Sequence, residues 1–278
     1  MNSAALNDTS SSPAGSSWLA VWALAHRELI RFFRQRNRII GAVGQPLIFW
    51  LLFGAGLRSS FRLPGDTATD NLTFLQYFFP GTIVLILLFT SIFTSISIIE
   101  DRREGFLQSV LVAPCPRWSM VLGKLLGGTF IALFQGMLFA CLGFTLGWSF
   151  SVTGLLAVAV LLFIEAFALC GLGFVLAWRM DSTQGFHAVM SLLLMPMWLL
   201  SGAFFPDSGG WLGWVIRLNP LTYGVAALRR LVQSEAASLA QPELPSLALS
   251  LAVTVGFAVL MFGLSVWVSR GRTTGDLL

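Results

Sequence analysis

Charge is what this chain lacks. Only 11% of its 278 residues are Asp, Glu, Lys or Arg, while 56% are hydrophobic; soluble domains carry about 25% charged residues. That excludes a soluble domain, and the long apolar runs make the chain a polytopic membrane protein. Histidine is scarcer still. His26 and His187 are the only two, too few and too scattered for a His-rich metal site. The three cysteines, Cys115, Cys141 and Cys170, have no metal-ligand spacing, and two of them fall inside apolar runs, where they read as small packing residues. No GxxxxGK[ST], HExxH or GxSxG run occurs. The chain therefore holds no ATP by that motif, no metal or other cofactor is expected, and the chain does not read as an enzyme.

The few charges are unevenly placed. The net charge of +4 and pI near 9.5 fit loop arginines at a membrane better than nucleic-acid binding. Residues 1–17, rich in Ser, Asn, Ala and Gly, lack the basic start and apolar core of a signal peptide and read as a disordered tail. Residues 18–38 follow helical periodicity. Trp18, Trp22, Ala25, Leu29, Phe32 and Phe33 fall in one stripe, and Arg27, Arg31, Arg34 and Arg38 fall opposite. This is the pattern of an amphipathic helix in the membrane interface, with its arginines toward lipid phosphates and cytosol. A nucleic-acid-binding helix is the competing reading; the large aromatics and the apolar run that follows argue against it.

Six apolar runs then read as transmembrane helices, at about 39–57, 76–99, 119–147, 153–177, 185–205 and 246–268, within one membrane domain over 39–268. The expected fold is all-α. Gln45-Pro46 predicts a kink in the first span. Gly123 and Gly127, four apart, predict close helix approach in the third. Trp178, Trp198, Trp211, Trp214 and Trp267 lie near span ends and read mostly as interfacial anchors. Between spans five and six, Arg217 and Asn219-Pro220 would sit deep in hydrocarbon if that segment crossed, at roughly 2.5–3.5 kcal/mol for a central arginine. Two short re-entrant helices are expected there instead, in the outer leaflet. Six spans leave both termini on one side. Twelve of the 17 basic residues lie on that side, and residues 269–278 form a tail there. The positive-inside rule makes that side cytoplasmic.

The longest charged interruption follows span two. Glu100, Asp101, Arg102, Arg103 and Glu104 come together, then Gly105. Phe106, Leu107, Val110 and Leu111 recur at helical spacing, and Pro114 and Pro116 end the run before Arg117 and Lys124. The pattern allows a short amphipathic docking helix with a charged hinge, and equally an ordinary solvated loop. Glu165 stands alone as an acid near the middle of a span. Burying it costs about 2.5–3.5 kcal/mol, so it must face the bundle interior, take a proton, or find a donor such as Gln135. It reads either as a pathway or proton-linked residue or as a structural one.

Together these residues resemble the ABC-2 type membrane subunits of ATP-binding-cassette exporters, a group that includes daunorubicin-resistance permeases and nodulation-factor exporters. The resemblance rests on the interface helix and on Glu100, Arg102 or Arg103, Gly105, Leu111, Pro114, Arg117, Gly123 and Lys124 in the pattern after span two. It rests also on Ser201-Gly202-Ala203-Phe204-Phe205-Pro206, and on Leu218-Asn219-Pro220-Leu221-Thr222-Tyr223 followed by Ala227-Leu228-Arg229. It implies that the helix after span two is a coupling helix for a separate ATPase. It also implies that Asn219, Pro220, Tyr223 and Arg229 belong to extracellular re-entrant helices. The working unit it implies pairs two permeases, as a homodimer, with two ATPase subunits that use ATP and Mg. The expected location is the cell inner membrane, in contact with lipid and with no nucleic acid. The expected function is export of a drug-like, lipid-like or glycan substrate. An ion-coupled secondary transporter and a non-catalytic membrane scaffold are the alternatives.

Overall fold

The structure, a computed structural model, describes residues 14–56, 74–147, 151–203, 210–232 and 245–271. Every regular element among them is a helix: α1 Ala14–Arg34, α2 Arg36–Gly56, α3 Phe74–Arg103, α4 Phe106–Val112, α5 Arg117–Ala140, α6 Val152–Trp178, α7 Thr183–Trp198, α8 Gly210–Leu218, α9 Pro220–Val232 and α10 Leu247–Arg270. A 3-10 turn, Cys141–Leu146, extends α5, and a π turn, Leu199–Ala203, extends α7. Serine caps start three of the long helices. Ser151, Ser182 and Ser246 each accept a hydrogen bond from the backbone N–H three residues on, at 3.0, 3.2 and 3.3 Å, meeting one of the donors that a helix start leaves without a partner.

Five of these helices are long and apolar enough to cross a membrane, and the apolar part of α2, Ile39–Phe53, is shorter. Among the five, α3 is the central one, with 83% of its most apolar stretch buried, whereas α10 buries only 22%. The core forms around Tyr77, Phe78, Phe79 and Trp198. The Trp198 indole N–H donates to the Gly81 carbonyl at 2.8 Å.

Several boundaries differ from the sequence reading. Helix α1 begins at Ala14, inside the segment read as a tail, while residues 1–13 and 272–278 lie outside the described residues. Helix α3 continues to Arg103, because nothing breaks it before Gly105. Glu100–Arg103 is thus the last turn of a long helix rather than a separate hinge. Gly105 then takes φ 75°, the left-handed conformation that glycine adopts without strain, and redirects the chain into α4. The segment after span five does hold two short helices, α8 and α9, with Pro220 at the first position of α9, where its missing N–H costs nothing. Trp178 and Trp198 are buried, each about 2% exposed, so they are core residues and not interfacial anchors; Trp211, Trp214 and Trp267 are exposed. Of the two cysteines in apolar runs, Cys170 is buried and Cys141 is exposed.

Candidate functional site

The site grows from the packing of α1 on α5. A β-carbon at Gly123 would lie 2.8 Å from the Val21 carbonyl oxygen, and one at Gly127 would lie 2.6 Å from the Glu28 β-carbon. The glycine pair therefore seats α1 itself, and not a neighbouring span. Trp18 meets Trp118 at 5.7 Å between ring centroids, and Phe33 meets Phe134 at 6.1 Å. The two helices run alongside each other over this whole length. As a result the aromatic stripe of α1 divides. Ala25 and Phe32 are buried with Val21 and Leu24, while Trp18, Trp22 and Phe33 stay exposed.

That seating carries Glu28 of α1 to Lys124 of α5 and to Asp101 of α3. Lys124 Nζ donates to Glu28 at 2.7 Å and also to Asp101, and all three residues are buried. Arg27 forks onto Asp101 with bonds of 3.0 and 2.7 Å, and Arg31 reaches Asp101 at 2.5 Å, Glu100 at 2.8 Å and Glu104 at 3.3 Å. Burial opposes the charge of Arg27, but its hydrogen bonds to Asp101 and that carboxylate's charge outweigh the cost and hold its pKa above the ordinary value. Two of the four arginines expected to face lipid phosphates thus turn inward, because uncompensated carboxylates at the end of α3 bind them more strongly than water does. Arg34 remains exposed, and the side chain of Arg38 lies outside the described residues.

Helix α4 sits on this cluster. Arg27 lies over the Phe106 ring at 3.6 Å, Leu107 is buried, and Val110 and Leu111 pack against the core. The apolar face that the sequence offered for docking is therefore occupied by the chain's own core. The outward surface consists of Gln108, Ser109, Val112 and Pro114, with Val112 86% exposed. Beside it, Arg102 donates to the carbonyl of Trp178, to Asp181 at 3.2 Å and to the Met180 carbonyl at 3.4 Å; Arg103 donates to the Asp181 carbonyl at 2.5 Å. These two arginines clamp the end of α3 to the end of α6. Arg117 opens α5, and Pro114 lies in the short link before it. Sequence reasoning missed Asp101 and Lys124 as a buried pair. The signal was there: Lys124 lies between the two glycines that mark close helix contact.

Deeper in the bundle, Glu165 is 2% exposed and neither carboxyl oxygen has a hydrogen-bond partner. Gln135 does not serve it, since its amide N–H groups reach neither carboxyl oxygen; the Gln135 side-chain oxygen accepts from Thr90. What covers Glu165 is Gly224 of α9, where a β-carbon would overlap the carboxyl group. Helix α9 therefore reaches the middle of α6. Its turn is held by Asn219, whose amide donates to the Met197 carbonyl and whose oxygen accepts from Leu221 N–H at 3.1 Å. Tyr223 donates to the Arg217 carbonyl at 2.9 Å. Arg229 is 3% exposed; it donates to the Gly202 carbonyl at 2.8 Å and lies 4.0 Å from the Tyr77 ring centroid. No group of three metal-ligating residues occurs among the described residues.

A family model described as ABC-2 type transporter matches residues 19–232, which contain the α1–α3–α5 cluster, α4, Glu165 and α9. The chain belongs to the ABC-2 type transporter family. It is accordingly a multi-pass membrane protein and a membrane transport permease. It is similar to a putative transport permease ycf38 of Cyanophora paradoxa, 29% identical over 213 residues, which are 75% of this chain and 72% of that protein. It is also similar to the daunorubicin resistance ABC transporter permease protein DrrB1 of Streptomyces coeruleorubidus, 24% identical over 79% of this chain and 74% of that protein. A third relative, nodulation protein J of Rhizobium meliloti (strain 1021), is 25% identical over 93% of this chain and 94% of its own length.

Proposed function

We propose that this permease works as the membrane subunit of an ATP-driven exporter, with six spans, α2 being the first, and both termini in the cytoplasm of a cell inner membrane. ATP and Mg act on a separate ATPase, of which two copies serve a permease homodimer. Helix α4 is the coupling helix. The observation that carries this reading is the two-sided character of α4. One face is fixed to α1 and the core through Phe106 and Leu107, and the other presents Val112 to its surroundings. A push on the outer face is transmitted through Arg27 to the buried Asp101–Lys124–Glu28 cluster, and so to three helices at once. A ligand-driven shift needs such a differential contact between states. The cargo is drug-like, lipid-like or glycan, and the segment with Asn219, Pro220, Tyr223 and Arg229 caps its exit on the outer side, with Glu165 and Gln135 beside the route.

The test is capture of the ATPase by the full permease in mild detergent, comparing the natural chain with Ser109→Glu and Val112→Asp. Both changes fall on the outer face and spare the packing beneath. Loss of the ATPase with the permease still folded supports the assignment; undiminished capture by both variants overturns α4 as the docking helix. An ion-coupled transporter is the second reading. It is favoured by the unpartnered Glu165, and it requires transport driven by an ion gradient without ATP.

A further inference from the structure

Next to the Asp101–Lys124–Glu28 cluster, α3, α5 and α6 enclose a small cavity. Its walls include Thr94, Ser95, Ser97, Lys124, Cys170 and Phe174, all buried except Thr94, which is partly so. The cavity holds about 10 Å³, the lower bound of what one water molecule needs, about 10–15 Å³. Its lining is unevenly satisfied. Lys124 gives two of its three N–H groups to Glu28 and Asp101. The third has no acceptor among the described residues, and the Ser97 hydroxyl has no hydrogen-bond partner among them either. Thr94 and Ser95 donate to the Ser91 carbonyl at 3.1 and 2.7 Å, which leaves lone pairs on both hydroxyl oxygens. Two donors without acceptors and two open acceptors thus line one cavity.

That chemistry selects the occupant. A cation is repelled by the Lys124 ammonium. An anion meets Glu28 and Asp101, which already outnumber that ammonium. An apolar ligand would leave the Lys124 and Ser97 donors bare in a buried place, which is costly. A neutral, water-sized molecule that both donates and accepts remains.

We propose that this cavity is a binding site for a single water molecule and that the water is a working part of the charge cluster. It accepts from Lys124 and Ser97 and donates to Thr94 and Ser95, within the two to four partners that buried waters hold. Cys170 and Phe174 wall it off from the α6 side, where Thr94 meets the Cys170 sulfur at 3.9 Å. Helix α6 therefore borders the cluster through water and a thiol, without an ion pair. A bridging water trades partners as helices move, so α3 and α5 shift against α6 without stranding the Lys124 charge. The site does not rest on the ATPase reading. It is measured on the permease alone, so the two proposals fail separately.

The experiment is X-ray radiolytic footprinting of the full chain in mild detergent, read by mass spectrometry. The pulse splits bound water in place, and the radicals oxidise side chains beside it that bulk solvent does not reach. Phe174 should be oxidised although buried, whereas Phe186, equally buried and outside the cavity, should not. When the sample is diluted into ¹⁸O water just before the pulse, exposed Trp211 should carry the heavy isotope at once and Phe174 only after a delay. Ser97→Val fills the cavity and removes a hydroxyl, so Phe174 labelling should be lost. Ser97→Ala takes away one partner without filling the space, so labelling should persist and the delay shorten. Ser265→Ala removes a buried hydroxyl that donates to the Gly171 carbonyl outside the cavity and should change neither. An unlabelled Phe174 in the natural chain overturns the proposal, as does labelling of Phe186 to the same extent. Immediate isotope uptake at Phe174 overturns it too, because the cavity would then be open to bulk solvent. So does undiminished labelling in folded Ser97→Val; if that variant does not fold, an unchanged delay in Ser97→Ala has the same force.

Discussion

The Arg27 guanidinium of α1 lies 3.6 Å from the ring centroid of Phe106 in α4 while it also forks onto Asp101 of α3. One side chain thus joins three helices, and its two contacts are separable by mutation. A double-mutant cycle with Arg27→Ala and Phe106→Ala should give a coupling of about 0.5–2 kcal/mol, the range for a partly buried cation–π pair. Unfolding in detergent measures it. A coupling near zero would mean that α4 is held by its apolar contacts, through Leu107, Val110 and Leu111, and not by the Arg27 contact.

Lys124 offers a sharper case, because Glu28 and Asp101 share it in a buried setting. Removing one member of a buried ion cluster strands the other charges and costs roughly 3–5 kcal/mol. Lys124→Met should therefore destabilise the protein by that order, and Lys124→Met with Asp101→Asn by clearly less than the two single losses added together. Thermal unfolding of the purified chain decides it. Additive losses would show that the two residues act independently.

The cluster also shows what the sequence could and could not reveal. The apolar runs, the break at Gly105 and the two short helices around Asn219-Pro220 were legible, because each follows from local chemistry: transfer cost, a missing β-carbon, a missing N–H. The partners of the charges were not. Helical periodicity places Arg27 and Arg31 opposite an aromatic stripe, yet periodicity on one helix cannot say that the carboxylates ending another will come within 3 Å. The same limit hid the covering of Glu165. Gly224 is 59 positions away in sequence, by its number, and nothing around it signals contact with a carboxyl group. Local pattern fixed which residues form helices; long-range packing chose which face of α1 turned inward.

Gly123 and Gly127 lead to a prediction about that seating. With a β-carbon at Gly127 so close to Glu28 and one at Gly123 so close to the Val21 carbonyl, Gly123→Val and Gly127→Val should each push α1 off α5. Overpacking of this kind costs about 1–3 kcal/mol. Limited proteolysis reads it directly: trypsin should cut at Arg27 or Arg31 faster in the variants, since those arginines lose their carboxylate partners when α1 lifts. Unchanged cleavage would mean that α1 shifts along α5 without leaving it.

The contact between Glu165 and Gly224 can be tested by rescue. Gly224→Ala places a methyl where the Glu165 carboxyl lies, and the carboxyl, having no hydrogen bond to hold it or to lose, must turn within a closed core. The substitution alone should lower stability by about 1–3 kcal/mol and reduce transport. In a Glu165→Ala background the space is open, so Gly224→Ala should there cost under about 0.5 kcal/mol. Glu165→Gln separates shape from charge, because it keeps the volume and abolishes ionisation. If Glu165 serves the pathway, transport should fall in Glu165→Gln while the unfolding temperature stays put. If transport instead survives Glu165→Gln and is lost only in Gly224→Ala, the carboxyl is there to fit α9 against α6, and its charge has no part in moving cargo.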